Sequence, residues 1–315
     1  MSNSTLLNSE ASPPPSPPPS AGHIFFRSPN LLFAFLRVCI FMLLSYAISL
    51  ALQFIAAALE PQKRSLVSPK RLAMAETIAF LGTFAAGLIM ARLEKRSFGD
   101  YGFPLRGFLG RFFWQGALFG FVEISAVIGA IAAFGSYRFG SLAIHGEDLL
   151  RWASFWAAFF LVVGLYEEFT FRGYMQFTLA QGVGFWPAAL LLSLAFGLVH
   201  ITNPGENWIG IAGIVLTGLF WSFTLRRSGS LWFAVGMHAS FDFGETFLYS
   251  VPDSGAVFPG HLSNATLAGS AWLTGGSAGP EASLFDFLIL LLFFYAFHRL
   301  YPRRSPDPLP QHLDL

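Results

Sequence analysis

Long apolar runs dominate this chain and leave it few folds to choose from. A helix that crosses a bilayer needs about 20 mainly apolar residues. About eight stretches approach or exceed that length: 31–59, 72–93, 112–135, 152–180, 186–202, 208–225, 231–249 and 283–300. In lipid, every backbone polar group must be satisfied within its own segment, so such runs fold as helices. The expectation is an all-α, polytopic membrane bundle of about eight transmembrane helices. Composition agrees, since only 12% of residues are charged against about 25% in soluble domains.

The remaining sequence is read around that bundle. Residues 1–30 carry Pro13 to Pro15 and Pro17 to Pro19 among Ser and Ala, the make-up of a disordered or polyproline-like tail. Residues 31–300 read as one transmembrane domain and 301–315 as a second tail. A net charge of +1 gives no electrostatic basis for binding nucleic acid. The single cysteine, Cys39, excludes an intrachain disulfide. Basic residues set the expected orientation. Arg92, Lys95, Arg96, Arg106, Arg111, Arg226, Arg227, Arg299, Arg303 and Arg304 fall on one side, while the loop 250–282 contains no Lys or Arg. Lys63, Arg64, Lys70 and Arg71 dissent. Both termini are expected in the cytoplasm, in a bacterial inner membrane.

Three polar motifs interrupt the apolar helices: Glu167-Glu168-x-x-x-Arg172, Phe196-x-x-x-His200 and His238-x-x-x-Asp242. An ionised side chain at a bilayer centre costs about 2.5–3.5 kcal/mol on insertion scales. Residues four apart share a helix face, so Glu168 and Arg172 can pair. Glu167, about 100° away, is left free to act as a base. Phe196 can wall a pocket beside His200, and Asp242 can orient His238. Two chemistries suit Glu167, His200 and His238. In one, Glu167 and His200 activate water while His238 and Asp242 stabilise the oxyanion. In the other, Glu167, His200 and His238 bind zinc or another divalent metal. The compact His-Glu-x-x-His zinc motif is absent. Ser193, Ser222 and Ser240 lack the Gly-x-Ser-x-Gly setting of a nucleophile. Arg37 and Glu76 are expected to snorkel or pair. Glu123 has no assigned role, and Glu245 is read as a packing residue.

The ordered triple resembles the CPBP family, which includes CAAX prenyl endopeptidases and bacterial Abi proteins of bacteriocin self-immunity. The resemblance covers about 150–250, and Phe98-Gly-Asp-Tyr-Gly-Phe-Pro-Leu-Arg106 is similar to the approach segment of bacterial members. It implies an intramembrane protease with Glu167 as base, His200 holding water, and His238 and Asp242 on the oxyanion side. Asp242 stands where many members have Asn. Members are commonly labelled metalloproteases, and a metal-free glutamate mechanism is also argued for them. The expected partner is a peptide or membrane-protein substrate, and a prenyl group does not follow from the family name. The competing readings are an immunity or peptide-binding protein that does not cut, and a proton-relaying transporter. The transporter reading is weakened by the absence of internal repeats.

Overall fold

The computed structural model describes residues 25–26, 28–59 and 68–302. Most of the expected N-terminal tail, Lys63 and Arg64, and the C-terminal tail beyond 302 lie outside these residues. The described chain folds as helices α1 (Leu31–Leu59), α2 (Pro69–Glu94), α3 (Arg111–Ala133) and α4 (Glu147–Glu168). A π-helical segment, Phe169–Met175, carries α4 into α5 (Gln176–Val183). There follow α6 (Phe185–Val199), α7 (Trp208–Ser228), α8 (Trp232–Phe243) and, after a long loop, α9 (Leu284–Leu300).

Among the described residues, six helices are long and apolar enough to cross a membrane. One of the six is the continuous α4–α5 unit, Glu147–Val183. Leu43, Phe54, Leu118 and Leu292 are largely exposed on the outside of the bundle, as lipid-facing side chains should be. The protein is an integral, multi-pass membrane protein. The expected count of eight spans is not reached. Expected span 231–249 is a 12-residue α-helix that passes into a π turn at Gly244 and stops where Ser250 turns to φ 58°. Expected span 283–300 is a 17-residue helix capped by Ser283. Both are shorter than about 20 residues.

Small residues set the helix contacts that matter for the site. Gly116 and Gly120, one turn apart on α3, sit against the backbone carbonyls of Phe233 and Met237 on α8. Gly236 of α8 sits against the carbonyl of Phe113 in return. This is the small-xxx-small contact by which membrane helices approach closely. Gly164 of α4 lies against the Val235 carbonyl (3.2 Å) and the His238 Cβ (3.6 Å), both measured from the position a Cβ would take. Helix α8 is therefore held between α3 and α4.

The segment likened to the family's approach region fixes the start of α8. Leu231 N–H donates to Gly102 O at 2.9 Å, and the Trp232 indole N–H donates to Pro104 O at 2.9 Å. On the far side, a two-residue antiparallel ladder pairs Tyr137 with Leu267 and Arg138 with Thr266. It ties the α3–α4 connection to the long 250–282 loop.

Candidate active site

The end of α4 does not continue as a regular helix. Residues 169–175 switch to π geometry, and Gly173 has ψ −107°. Such segments are frequent at functional sites. Here one follows directly after Glu167 and Glu168 and contains Arg172. Arg172 Nη1 donates to Glu168 Oε1 at 3.0 Å, with both side chains essentially inaccessible. The guanidinium lies 4.0 Å from the Phe196 ring centre and 5.2 Å from that of Trp221. Gly218 of α7 makes room for it, since a Cβ there would meet Arg172 Nη2.

His238 is the hub. Its Nδ1 lies 3.2 Å from Glu168 Oε1, and its Nε2 lies 3.2 Å from Asp242 Oδ2 and 3.6 Å from Glu167 Oε2. Carboxylate oxygens can only accept when ionised, so a ring flanked at both nitrogens donates from both, which is the imidazolium form. The Trp221 indole stacks on the ring at 4.4 Å and 20°, a face-on arrangement that favours a cation. Glu168 thus serves Arg172 and His238 together, whereas Glu167 and Asp242 keep side chains that are 19% and 13% exposed.

His200 occupies the 3₁₀ turn after α6. Its Nδ1 is 2.7 Å from Phe196 O. A carbonyl accepts only, so Nδ1 donates and Nε2 remains the acceptor nitrogen. Glu167, His200, His238 and Asp242 all line one cavity of about 400 Å³. Phe159, Phe160, Phe196, Val199, Ile214 and Trp221 contribute its apolar wall.

Other residues singled out in the sequence fall elsewhere. Ser222 Oγ donates to Gln176 Oε1 at 3.0 Å, and Ser240 Oγ to Met237 O at 3.1 Å. Arg37 is fully buried and lies 3.9 Å from Glu94. Glu76 and Glu123 both reach the cavity. Trp221, Asn203, Asp253 and Glu281 line it as well, and none of the four stands in a motif. Burial and the Asp242 charge hold the Asp253 carboxyl well above the usual carboxylate range. Burial and the Asp253 charge do the same to Glu281.

The donor atoms of Glu167, His200 and His238 are not grouped at metal-ligand spacing. Among the described residues that spacing is met by Glu245, Asp253 and Glu281.

No curated protein and no solved structure matches this chain. The segment that holds all three motifs does match a family: residues 149–244 fit the model described as type II CAAX prenyl endopeptidase Rce1-like, so the resemblance read from the motifs is shown over that segment.

Proposed function

We propose that the chain is an intramembrane endopeptidase that hydrolyses a peptide bond in a membrane-associated substrate, with Glu167 as general base. The observation that carries this reading is the approach of Glu167 and Asp242 to the same nitrogen of His238 at the wall of one cavity, with His200 on that cavity. The family match supports the reaction class.

Water held between Glu167 and His200 Nε2 loses a proton to Glu167, and its oxygen attacks the peptide carbonyl carbon. The carbonyl oxygen then carries a negative charge. His238 Nε2–H supplies the hydrogen bond and the positive charge that stabilise it. Glu167 returns its proton to the amide nitrogen as the C–N bond breaks, leaving an amine and a carboxylic acid, whose proton then passes to the amine to give carboxylate and ammonium. Glu168 keeps His238 protonated at Nδ1 and oriented, and the Trp221 face stacks on that cation. Asp242 accepts the Nε2–H before substrate binds and yields it to the oxyanion as the charge develops; an ionised carboxylate facing the oxyanion itself would repel it. Zinc would polarise the carbonyl or acidify the water. The donor atoms of Glu167, His200 and His238 lack the spacing of a metal site, so no step is routed through zinc.

The test compares the parent with Glu167→Gln, co-expressed with membrane-anchored peptide reporters, one of them bearing a C-terminal prenylated cysteine. Loss of a general base lowers the rate by about 10²–10⁴-fold. Undiminished cleavage by the variant removes Glu167 from the base role. A parent that retains a reporter without cutting it favours the immunity or peptide-binding reading.

A further inference from the structure

Beyond the residues matched by the family model, three carboxylates from three separate elements converge. Glu245 stands on the π turn that prolongs α8. Asp253 lies in the loop that follows, and Glu281 in the 3₁₀ turn that leads into α9. One oxygen from each lies within 4.8 Å of the other two. Like charges this close repel, and only Asp253 has a cationic neighbour, His238, to set against them. The charged groups facing Glu245 are Glu281, Asp253, Asp242 and Asp286, all of them acids.

A second observation is independent of that spacing. Glu245 is fully buried, and neither of its oxygens has a hydrogen-bond partner among the described residues. Glu281 Oε1 is likewise buried and unpartnered. Hydroxyls reach one oxygen each of the other two acids. Thr246 donates to Asp253 Oδ2 at 2.9 Å and Ser254 to Glu281 Oε2 at 3.3 Å. A buried carboxylate without a partner takes up a proton or a cation, and three that converge on one point suit a shared cation.

We propose that Glu245, Asp253 and Glu281 bind one hard divalent cation, with calcium the best fit. The donors are all oxygen, which selects calcium, magnesium or manganese over zinc or copper. Oxygens placed about 2.4 Å from a calcium ion lie at most about 4.8 Å apart, and the tighter magnesium shell holds them to about 4.2 Å. The looser calcium shell, which accepts irregular oxygen sets, is the better match to three carboxylates drawn from three separate elements. A substrate Lys or Arg is a poorer occupant, because Glu245 is not among the residues that face the cavity. Bound there, the ion would staple the 250–282 loop and the start of α9 to the helix that carries His238 and Asp242. Within that loop Gly255 N–H already donates to Ala278 O (2.6 Å), and Ser277 Oγ donates to Gly205 O in the α6–α7 connection (2.7 Å).

The experiment uses the full chain purified in detergent and stripped with a chelator. Calcium chloride is then titrated while thermal unfolding and equilibrium binding of radioactive calcium are followed. The parent should bind one calcium saturably, with an unfolding temperature about 5 °C higher at a hundredfold excess over the dissociation constant. Glu245→Gln and Asp253→Asn should each lose both responses. They should unfold at or above the temperature of the stripped parent, because each relieves repulsion. Glu167→Gln should keep both responses, which separates this site from the proposed catalytic one. Absence of saturable calcium binding in the parent overturns the proposal, as does parent-like binding by both acid-to-amide variants. A response to zinc alone overturns the assignment of a hard ion.

Discussion

Two buried polar clusters share this bundle and are finished differently. In the first, Glu94 at the end of α2 has a donor at each oxygen: the Tyr174 hydroxyl at 2.6 Å on Oε1 and the Tyr101 hydroxyl at 2.8 Å on Oε2. Arg37 and Arg96 stand 3.9 and 3.8 Å away. Arg37 also donates to the carbonyls of Phe26, Ser28 and Phe33 and to Gln181 Oε1. The second cluster, around His238, leaves Glu168 Oε2 and Arg172 Nη2 without partners and opens onto the cavity through Glu167 and Asp242. Both clusters bury charge among apolar helices. The sealed one gives both oxygens of its carboxylate a donor, with only Arg96 Nη1 left unpartnered among the described residues, and gains rigidity. The open one turns the Glu167 and Asp242 carboxylates to the cavity, where a substrate would meet them. Polar groups turned to a cavity, rather than burial of charge as such, separate a candidate site from a structural knot.

The same substitution made in each cluster should break or sharpen that contrast. Glu167→Gln should lower cleavage by about 10²–10⁴-fold while leaving the unfolding temperature in detergent at or above that of the parent. Glu94→Gln should do the reverse. It strips the charge facing Arg37 and Arg96, and removing one partner of a buried pair costs about 3–5 kcal/mol. Thermal unfolding of the purified variant, with activity normalised to folded protein, reads both. If Glu94→Gln abolished turnover at unchanged stability, the division between the clusters would be wrong.

How the open cluster is held leads to a smaller effect. Helix α8 depends on close approach to α3, and a methyl at Gly236 would run into the Phe113 carbonyl. Backbone cannot give way as a flexible side chain can. Gly236→Ala should destabilise by about 1–3 kcal/mol and displace His238 from its carboxylates. Gly129→Ala on α3, where nothing lies within 4 Å of the added carbon, should leave unfolding temperature and activity unchanged. Equal behaviour of the two variants would mean that the α3–α8 contact does not position the site.

The sequence made the helices legible because lipid burial writes itself as uninterrupted apolar length, and every expected stretch contains a helix. The last two expected stretches, 231–249 and 283–300, hold helix over 232–248 and 284–300, almost end to end, but each is shorter than the six that are long enough to cross. An apolar run does not reveal that one of them finishes in a π turn. The motif residues were legible because an ionisable group inside such a run stands out, and i, i+4 spacing says which pairs share a face. The rest of the cavity was not. Trp221 is one aromatic among many and gains meaning only from the ring it covers. Asp253 and Glu281 lie in a polar loop where acids are commonplace, and only the fold brings them beside Glu245. Glu245 sits three residues beyond Asp242 and read as packing, because its companions were distant in sequence.

Trp221 provides the finest probe of the contrast. Its indole lies parallel to the His238 ring at 4.4 Å, and a desolvated cation over an indole face gains about 1–2 kcal/mol. In the proposed mechanism the positive charge of His238 counts most when the oxyanion forms. Losing the indole should therefore lower kcat/KM with little change in KM. Trp221→Leu is expected to cost about 5–30-fold in kcat/KM, and Trp221→Phe, which keeps a π face, less than Trp221→Leu. The sealed cluster offers the control. Phe41 stacks on Tyr174 at 4.3 Å, yet a neutral phenol gains no cation–π term, so Phe41→Leu should alter stability alone. Steady-state kinetics on the three variants decides it. Equal kcat/KM for Trp221→Leu and the parent would reduce the stacked indole to packing and take the electrostatic role away from that wall of the cavity.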